Sequence, residues 1–267
     1  MNHIDDVVVK NKMDLLMVIK ELDNKGYMSG SSGNISIKID ENRYLITPSG
    51  IPIFMLKDEH FLLIDSNGKI INSNNDDLKP SSEVLMHLFC YKKKKNIRAI
   101  IHSHAPNASA FAITGKSLDM CIMPEIIMVL GQIPLVPYKT PTTEKLAEIV
   151  SEYIENNYKA LLLENHGVIV TGEDIFDACN NLSIVENYAK TYINALTIGN
   201  IKTLSKNEVD QLDELKKKLN FATTEITCSL NYQEDLSIEK NDTESKTNAE
   251  LVDLISKVIY KEISKYK

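Results

Sequence analysis

The chain has 267 residues, 43% of them hydrophobic and 25% charged, with a net charge of −7. That length gives one large domain or two small ones, with enough apolar side chains for a core. The acidic balance excludes a general nucleic-acid role, because gripping a phosphate backbone needs a basic face. Only local basic spots remain, such as the lysines at 92–95. No apolar run approaches the ~20 residues needed to span a bilayer. The acidic N-terminus predicts no secretion signal. The cysteines, Cys90, Cys121, Cys179 and Cys228, form no C-x-x-C pair. This is the pattern of a reducing, cytoplasmic compartment with buried thiols and no disulfide framework.

Apolar Met13, Leu16, Met17, Ile19 and Leu22 predict a helix over 12–25, ended at Gly26. A small-residue turn follows, and Ile35, Ile37 and Ile39 then alternate with Ser36 and Lys38 as a half-buried strand does. Further strands are expected at 43–47, 61–65 and 70–71. Pro80 opens a helix to about residue 92, since Pro has no amide proton to lose in a first turn. A strand at 97–103, a helix at 107–114 and a short strand at 133–136 come next. A helix over 143–156 is capped by Thr142 or Thr143. Strands at 160–163 and 168–170 flank Glu164-Asn165-His166-Gly167, and a long helix covers 174–196. Strands and helices interleave without an internal repeat, which makes a mixed α/β domain. Beyond residue 222 the composition turns polar, so 223–248 reads as a flexible linker. Leu251, Val252, Leu254, Ile255, Val258, Ile259 and Ile263 then mark an amphipathic helix over 249–267.

His102 and His104 form His-Ser-His at the end of a predicted strand. Alternate strand residues share a face about 7 Å apart. Two imidazoles so spaced can converge on one ion with Zn–N bonds near ~2.0–2.1 Å. His166 ends another apolar strand, and Gly167 lets the backbone turn closely behind it. Three His ligands plus an open position is the pattern of catalytic zinc, whereas closed structural sites have four protein ligands. His87 reads as a packing or surface histidine of the helix from Pro80. In Lys79-Pro80-Ser81-Ser82-Glu83, two hydroxyls at a helix N-terminus can bind an anion or merely cap the helix. Gly33-Asn34 and Ser49-Gly50 are turns where backbone approaches a ligand closely. Glu83 is open to three roles: metal ligand, base, or favourable first-turn acid.

The order Ser32-Gly33-Asn34-Ile35-Ser36, Ile46-Thr47-Pro48-Ser49-Gly50-Ile51-Pro52, Pro80-Ser81-Ser82-Glu83, His102-Ser103-His104-Ala105 and Asn165-His166-Gly167 resembles the class II aldolase/adducin family. The resemblance covers about 12–220 and is strongest to the L-fuculose-phosphate aldolase branch. It implies a three-layer α/β/α sandwich with a mainly antiparallel central sheet, and a catalytic domain over 1–222. It implies one Zn2+ per subunit on His102, His104, His166 and Glu83, with Glu83 as acid/base. Another divalent transition metal is open on the same ligands. Phosphate contacts fall to Gly33, Asn34, Ser49, Gly50, Ser81 and Ser82. The implied reaction cleaves a ketose 1-phosphate, such as L-fuculose 1-phosphate, to dihydroxyacetone phosphate and an aldehyde such as lactaldehyde. The implied assembly is a homotetramer with active sites between subunits. Sugar-phosphate epimerase, whose motif has Asp where Glu83 stands, and methylthioribulose-phosphate dehydratase, another zinc relative, are alternatives within the same family. An adducin-like binding protein is a remoter alternative, because adducin-like domains lack the metal histidines. Met123 stands where the aldolases carry an aldehyde-side tyrosine. Leu219 and Phe221 lie near the place of a second tyrosine, and Tyr138 reads as packing after Pro137. The 249–267 helix resembles encapsulation peptides that dock on shell or core proteins of bacterial microcompartments.

Overall fold

The computed structural model describes residues 3–72 and 77–219, and side chains from residue 6 onward. In chain order the elements are α1 (His3–Asn24), β1 (Asn34–Lys38), β2 (Arg43–Ile46), β3 (Leu62–Asp65), β4 (Ile70–Asn72), α2 (Val84–Lys93), β5 (Ala99–Ser103), α3 (Pro106–Ile113), α4 (Pro124–Val129), β6 (Leu135–Val136), α5 (Glu144–Glu155), β7 (Ala160–Leu163), β8 (Gly167–Gly172), α6 (Ile175–Ile198) and α7 (Lys206–Lys218). The described strands form one sheet in the order β4-β3-β2-β1-β5-β8-β7-β6. Neighbours run antiparallel except β6 and β7, which are parallel. The expected α/β sandwich with a mainly antiparallel sheet is therefore present.

Strand alternation assigns the two faces. Tyr44, Ile46, Leu62, Ile64, Ile100, Leu161 and Ile169 pack beneath α2 and α5, against Met86, Tyr91, Leu146, Val150 and Ile154. The residues between them, such as Leu45, Ile101 and Val170, are also fully buried. Helices α1, α3 and α6 pack together on that second side, with α6 against β5 and β8. His102 pairs with Ile169 in register and so shares the α2 face.

Several boundaries differ from those the sequence predicts. Helix α1 begins well before residue 12, and its buried stripe is Leu15, Val18, Ile19 and Leu22, while Met13 and Met17 are exposed. Helix α2 begins at Val84, not Pro80. Pro80 forms a β-bridge with Pro48, and the Ser81 amide donates to the Thr47 carbonyl at 3.2 Å. Backbone committed to that bridge cannot start a helix. Of the two candidate caps of α5, Thr143 accepts from the Leu146 amide. Helices α4 and α7 are additions. Cys121 is in a disulfide, against the expectation of free thiols, while Cys90 and Cys179 are free and buried. Phe221, Cys228, the 223–248 linker and the 249–267 helix lie outside the described residues. Among the described residues no helix is long and apolar enough to cross a membrane.

Candidate active site

Three strand ends and one helix start meet at one edge of the sheet. Antiparallel pairing sets the end of β5 beside the starts of β1 and β8, with Asn34 opposite His102 and Ser103 opposite Val168. Glu83 caps the N-terminal end of α2 above them. His104 lies one residue past the end of β5, in coil, so its ring swings back toward His102 instead of standing one strand repeat away. The three imidazole rings have centroids 4.6–5.2 Å apart.

Donor and acceptor roles at this cluster are restrictive. His102 is fully buried, and its Nδ1–H donates to the Val168 carbonyl at 3.0 Å. Its Nε2 is therefore a lone pair. That lone pair faces Glu83 Oε2 at 3.2 Å and His104 Nε2 at 3.2 Å. His166 Nε2 lies 3.4 Å from Glu83 Oε1, which is buried with no hydrogen-bond partner. A bare His102 Nε2 and a Glu83 carboxylate oxygen are both acceptors, and a positive charge between them relieves the contact. A tetrahedron with bonds of ~2.0–2.1 Å has edges of about 3.3–3.4 Å. His102, His104 and His166 thus have the donor chemistry and the spacing to hold a divalent ion, and Glu83 lies beside them, Oε2 by His102 and Oε1 by His166.

Ionisation follows the same geometry. Burial pushes the Glu83 carboxyl up, but its contacts with His102 and His166 and the hydrogen bond from the Asn34 amide outweigh it and hold it at about 2. Burial, with His102 close by, takes His166 down to about 4 and lowers His104 as well. Neutral imidazoles beside an ionised carboxylate are the ligating forms.

Small residues let the strands close on the site. Gly33 has φ 80°, and a Cβ there would lie 2.7 Å from the His102 carbonyl oxygen. At Gly167 a Cβ would lie 2.5 Å from the Ser103 carbonyl oxygen and 2.8 Å from His104 Cδ2. Gly167→Ala should displace His104 and weaken metal retention at least ~10-fold. A chelator-competition titration reads this, and unchanged retention would show that the site tolerates the shift.

The expected phosphate residues come together in part. The Ser49 amide donates to the Lys79 carbonyl at 2.9 Å, which draws the Ser49-Gly50 turn beside Ser81 and Ser82. Thr47 ties this pair to the Gly33-Asn34 turn, through its Oγ1 to the Ile35 amide and its own amide to the Ile35 carbonyl. Ser81 and Ser82 precede α2 and so do not form its first turn. Ser49, Gly50 and Ser82 are exposed and Ser81 is buried. Asn34 points elsewhere, with Nδ2 donating to Glu83 Oε2 at 2.9 Å. Met123 caps α4 with extended backbone, Tyr138 is half exposed, and Leu219 is exposed.

Two supporting residues escape the motif reading. Glu186 of α6 is buried and accepts from the Asn107 and Ala108 amides at 2.9 and 2.8 Å, capping α3 just after His104. His87 is also buried, with both ring nitrogens bonded, to Ser36 and Asn34. The signals were Asn34-x-Ser36 on one strand face and Glu83, His87 and Tyr91 at successive helical turns. Burial first, then the charge of His102, drives the His87 imidazole down to about 3, with Glu83 pulling weakly the other way. The unfolded chain therefore takes up a proton near pH ~6.5 that the folded chain refuses. Stability of the metal-free protein should fall as pH drops below that value, by up to ~1.4 kcal/mol per pH unit from this residue alone. Urea midpoints between pH 6.5 and 4.5 should fall less steeply for His87→Gln, and identical slopes would contradict it.

A model of the "Class II Aldolase and Adducin N-terminal domain" matches residues 13–193. The chain belongs to the class II aldolase/adducin family. A 3-oxo-tetronate 4-phosphate decarboxylase of Haemophilus influenzae is 34% identical over 197 residues, covering 72% of this chain and 91% of the relative. An L-fuculose phosphate aldolase of Methanococcus maripaludis is 36% identical over 177 residues, covering 66% and 93%. The solved structure of an L-fuculose 1-phosphate aldolase superposes with a TM-score of 0.70 at 29% identity, over 79% of this chain and 97% of the other. Family membership bears out the expectation of a metal-dependent carbon–carbon lyase, since both of these printed activities break such a bond.

Proposed function

We infer that the chain is a lyase acting on a phosphorylated ketose. His102, His104 and His166 would hold a divalent ion with Glu83 beside them, Glu83 moves a proton, and Gly33, Ser49, Gly50, Ser81, Ser82 and the backbone of Asn34 form the phosphate end. The finer reading is a zinc aldolase that cleaves L-fuculose 1-phosphate, or a similar deoxy-ketose 1-phosphate, to dihydroxyacetone phosphate and an aldehyde such as lactaldehyde. The convergence of three imidazoles, with one carboxylate beside them, carries this reading. A bound ion supplies Lewis-acid stabilisation of the negative charge that develops beside the substrate carbonyl. Glu83 accepts and returns a proton at its unpartnered Oε1. Its low pKa belongs to the resting contacts with His102 and His166. Burial by itself favours the protonated carboxyl, so release from these contacts moves its pKa up. The phosphate turns orient substrate away from the breaking bond.

A second reading is decarboxylation of a 3-oxo acid 4-phosphate. It is favoured by the Haemophilus influenzae relative and by Met123 standing where the aldolases have a tyrosine. Loss of CO2 from a 3-oxo-tetronate 4-phosphate leaves the enediolate of dihydroxyacetone phosphate. Retro-aldol cleavage of a ketose 1-phosphate leaves the same species. One site therefore serves both, and only the aldolase must manage a proton on a departing aldehyde.

A panel of ketose 1-phosphates and 3-oxo-tetronate 4-phosphates, assayed for dihydroxyacetone phosphate with and without chelator, tests the reading. Release that chelator abolishes and Zn2+ restores is expected. Aldehyde as co-product marks the aldolase, and CO2 the decarboxylase. An epimer or a dehydrated ketone without dihydroxyacetone phosphate would assign the chain to the other relatives. The homotetramer with shared active sites and the docking of 249–267 on a microcompartment shell are proposals of the same standing. A fluorescent protein fused to 248–267 should form foci in cells making the native shell, and diffuse signal would contradict the second.

A further inference from the structure

A line of buried polar groups runs from Glu83 into the core between β1 and α2. Asn34 Nδ2 donates to Glu83 Oε2 at 2.9 Å, and Asn34 Oδ1 meets His87 Nε2 at 2.6 Å. His87 Nδ1 meets Ser36 Oγ at 2.6 Å. Tyr91 closes the line, its single hydroxyl proton shared between Ser36 Oγ at 2.9 Å and the Ser36 carbonyl at 3.0 Å. Asn34, Ser36, His87 and Tyr91 are each 1–3% exposed, so water has no access to substitute for any of these bonds.

The direction of every bond in this line follows from one end. An ionised Glu83 carboxylate only accepts, so Asn34 must turn its NH2 toward it. Asn34 Oδ1, an acceptor, then faces His87, and the imidazole proton must sit on Nε2. The bare Nδ1 accepts from the Ser36 hydroxyl. Glu83 and His87 hold the Asn34 amide from its two ends, so loss of His87 leaves Oδ1 buried without a donor and the amide plane anchored at one end only. A packing residue at this place would need neither nitrogen.

We propose that His87, braced by Ser36 and Tyr91, is a positioning residue: it locks the Asn34 amide so that its N–H holds Glu83 Oε2 and leaves Oε1 to face the reacting side. This rests on the reading of Glu83 as the proton carrier. The line orients and does not conduct, because the Asn34 amide has no proton to pass on at neutral pH. Asn34, assigned by resemblance to the phosphate, thereby has its side chain engaged at the carboxylate.

The test compares wild type with His87→Leu, His87→Gln and Ser36→Ala. In the metal-free wild type, nitrogen NMR of 15N-histidine-labelled protein should show one neutral ring protonated at Nε2 and bare at Nδ1, assigned to His87 by its loss in His87→Leu or His87→Gln. In the metal-loaded enzyme His87→Leu should lower kcat about 30-fold while KM changes by less than ~3-fold and metal content stays constant. His87→Gln, whose amide can reach the same acceptor, should recover to within about 3-fold of wild-type kcat. Should His87→Leu not fold, Ser36→Ala, which removes only a hydroxyl, should still lower kcat about 5-fold with KM unmoved. A His87 ring protonated at Nδ1, equal kcat for the Leu and Gln variants, or wild-type kcat in Ser36→Ala would overturn the proposal. A wild type inactive on every substrate counts against the functional reading instead, and the ring tautomer then decides the placement of His87 by itself.

Discussion

Glu83→Gln should keep the ion and lower kcat by about 1,000-fold. The side chain is buried, held by Asn34 Nδ2, and flanked by His102 and His166 at 3.2 and 3.4 Å. An amide of the same shape fits that space and keeps an oxygen for Asn34. It cannot take up a proton from substrate and return it to a carbanion. Positioned acid–base groups contribute typically ~100- to 10,000-fold, and the cost here should lie in that range. Three imidazoles remain, so metal content should hold near that of the wild type. Steady-state kinetics beside elemental analysis makes the check. Turnover near wild type would remove Glu83 from the reaction, and loss of the ion would make it a ligand first and a base second.

His104→Ala should lose ion and activity together while the fold persists. His104 lies past the end of β5, half-buried, with its Nε2 facing His102 Nε2 at 3.2 Å. The next residues are anchored independently, because Ala105 is fully buried and α3 is capped by Glu186. Nothing in the core therefore depends on the ring. Loss of a supporting partner of a metal ligand costs ~10–100-fold in affinity, and loss of a ligand itself should exceed that. Chelator competition reads the affinity and a thermal melt of the metal-free forms reads the fold. The two metal-free proteins should melt within about 3 °C of each other. A variant that retains ion and turnover would place the metal elsewhere.

Much of this was legible in the residues, and the gaps have physical causes. His102, His104 and His166 announced themselves because each lies in or next to an apolar strand: His102 within β5, His104 one residue past it and His166 in the turn into β8, which pairing of β5 with β8 brings together. The small residues at Gly33 and Gly167 marked close approaches that the geometry bears out. Ser81 and Ser82 misled, since Pro80 and two serines look like a helix start. The bridge to Pro48 is a long-range contact that local propensity does not register. Helix α7 was readable, because Ser205 and Glu208 form a capping box. Helix α4, six residues long, carries too little periodicity to recognise. His87 passed as packing because its partners lie about fifty residues away in sequence, and only the pairing of β1 with β5 and the seating of α2 bring them together.

The most direct measurement is the metal content of protein purified without chelator, by elemental analysis. One transition ion for each chain is expected, removable by chelator and restored by added Zn2+ with recovery of lyase activity. Protein that carries no such ion and takes up none on reconstitution would contradict the convergence of His102, His104, His166 and Glu83 on a metal.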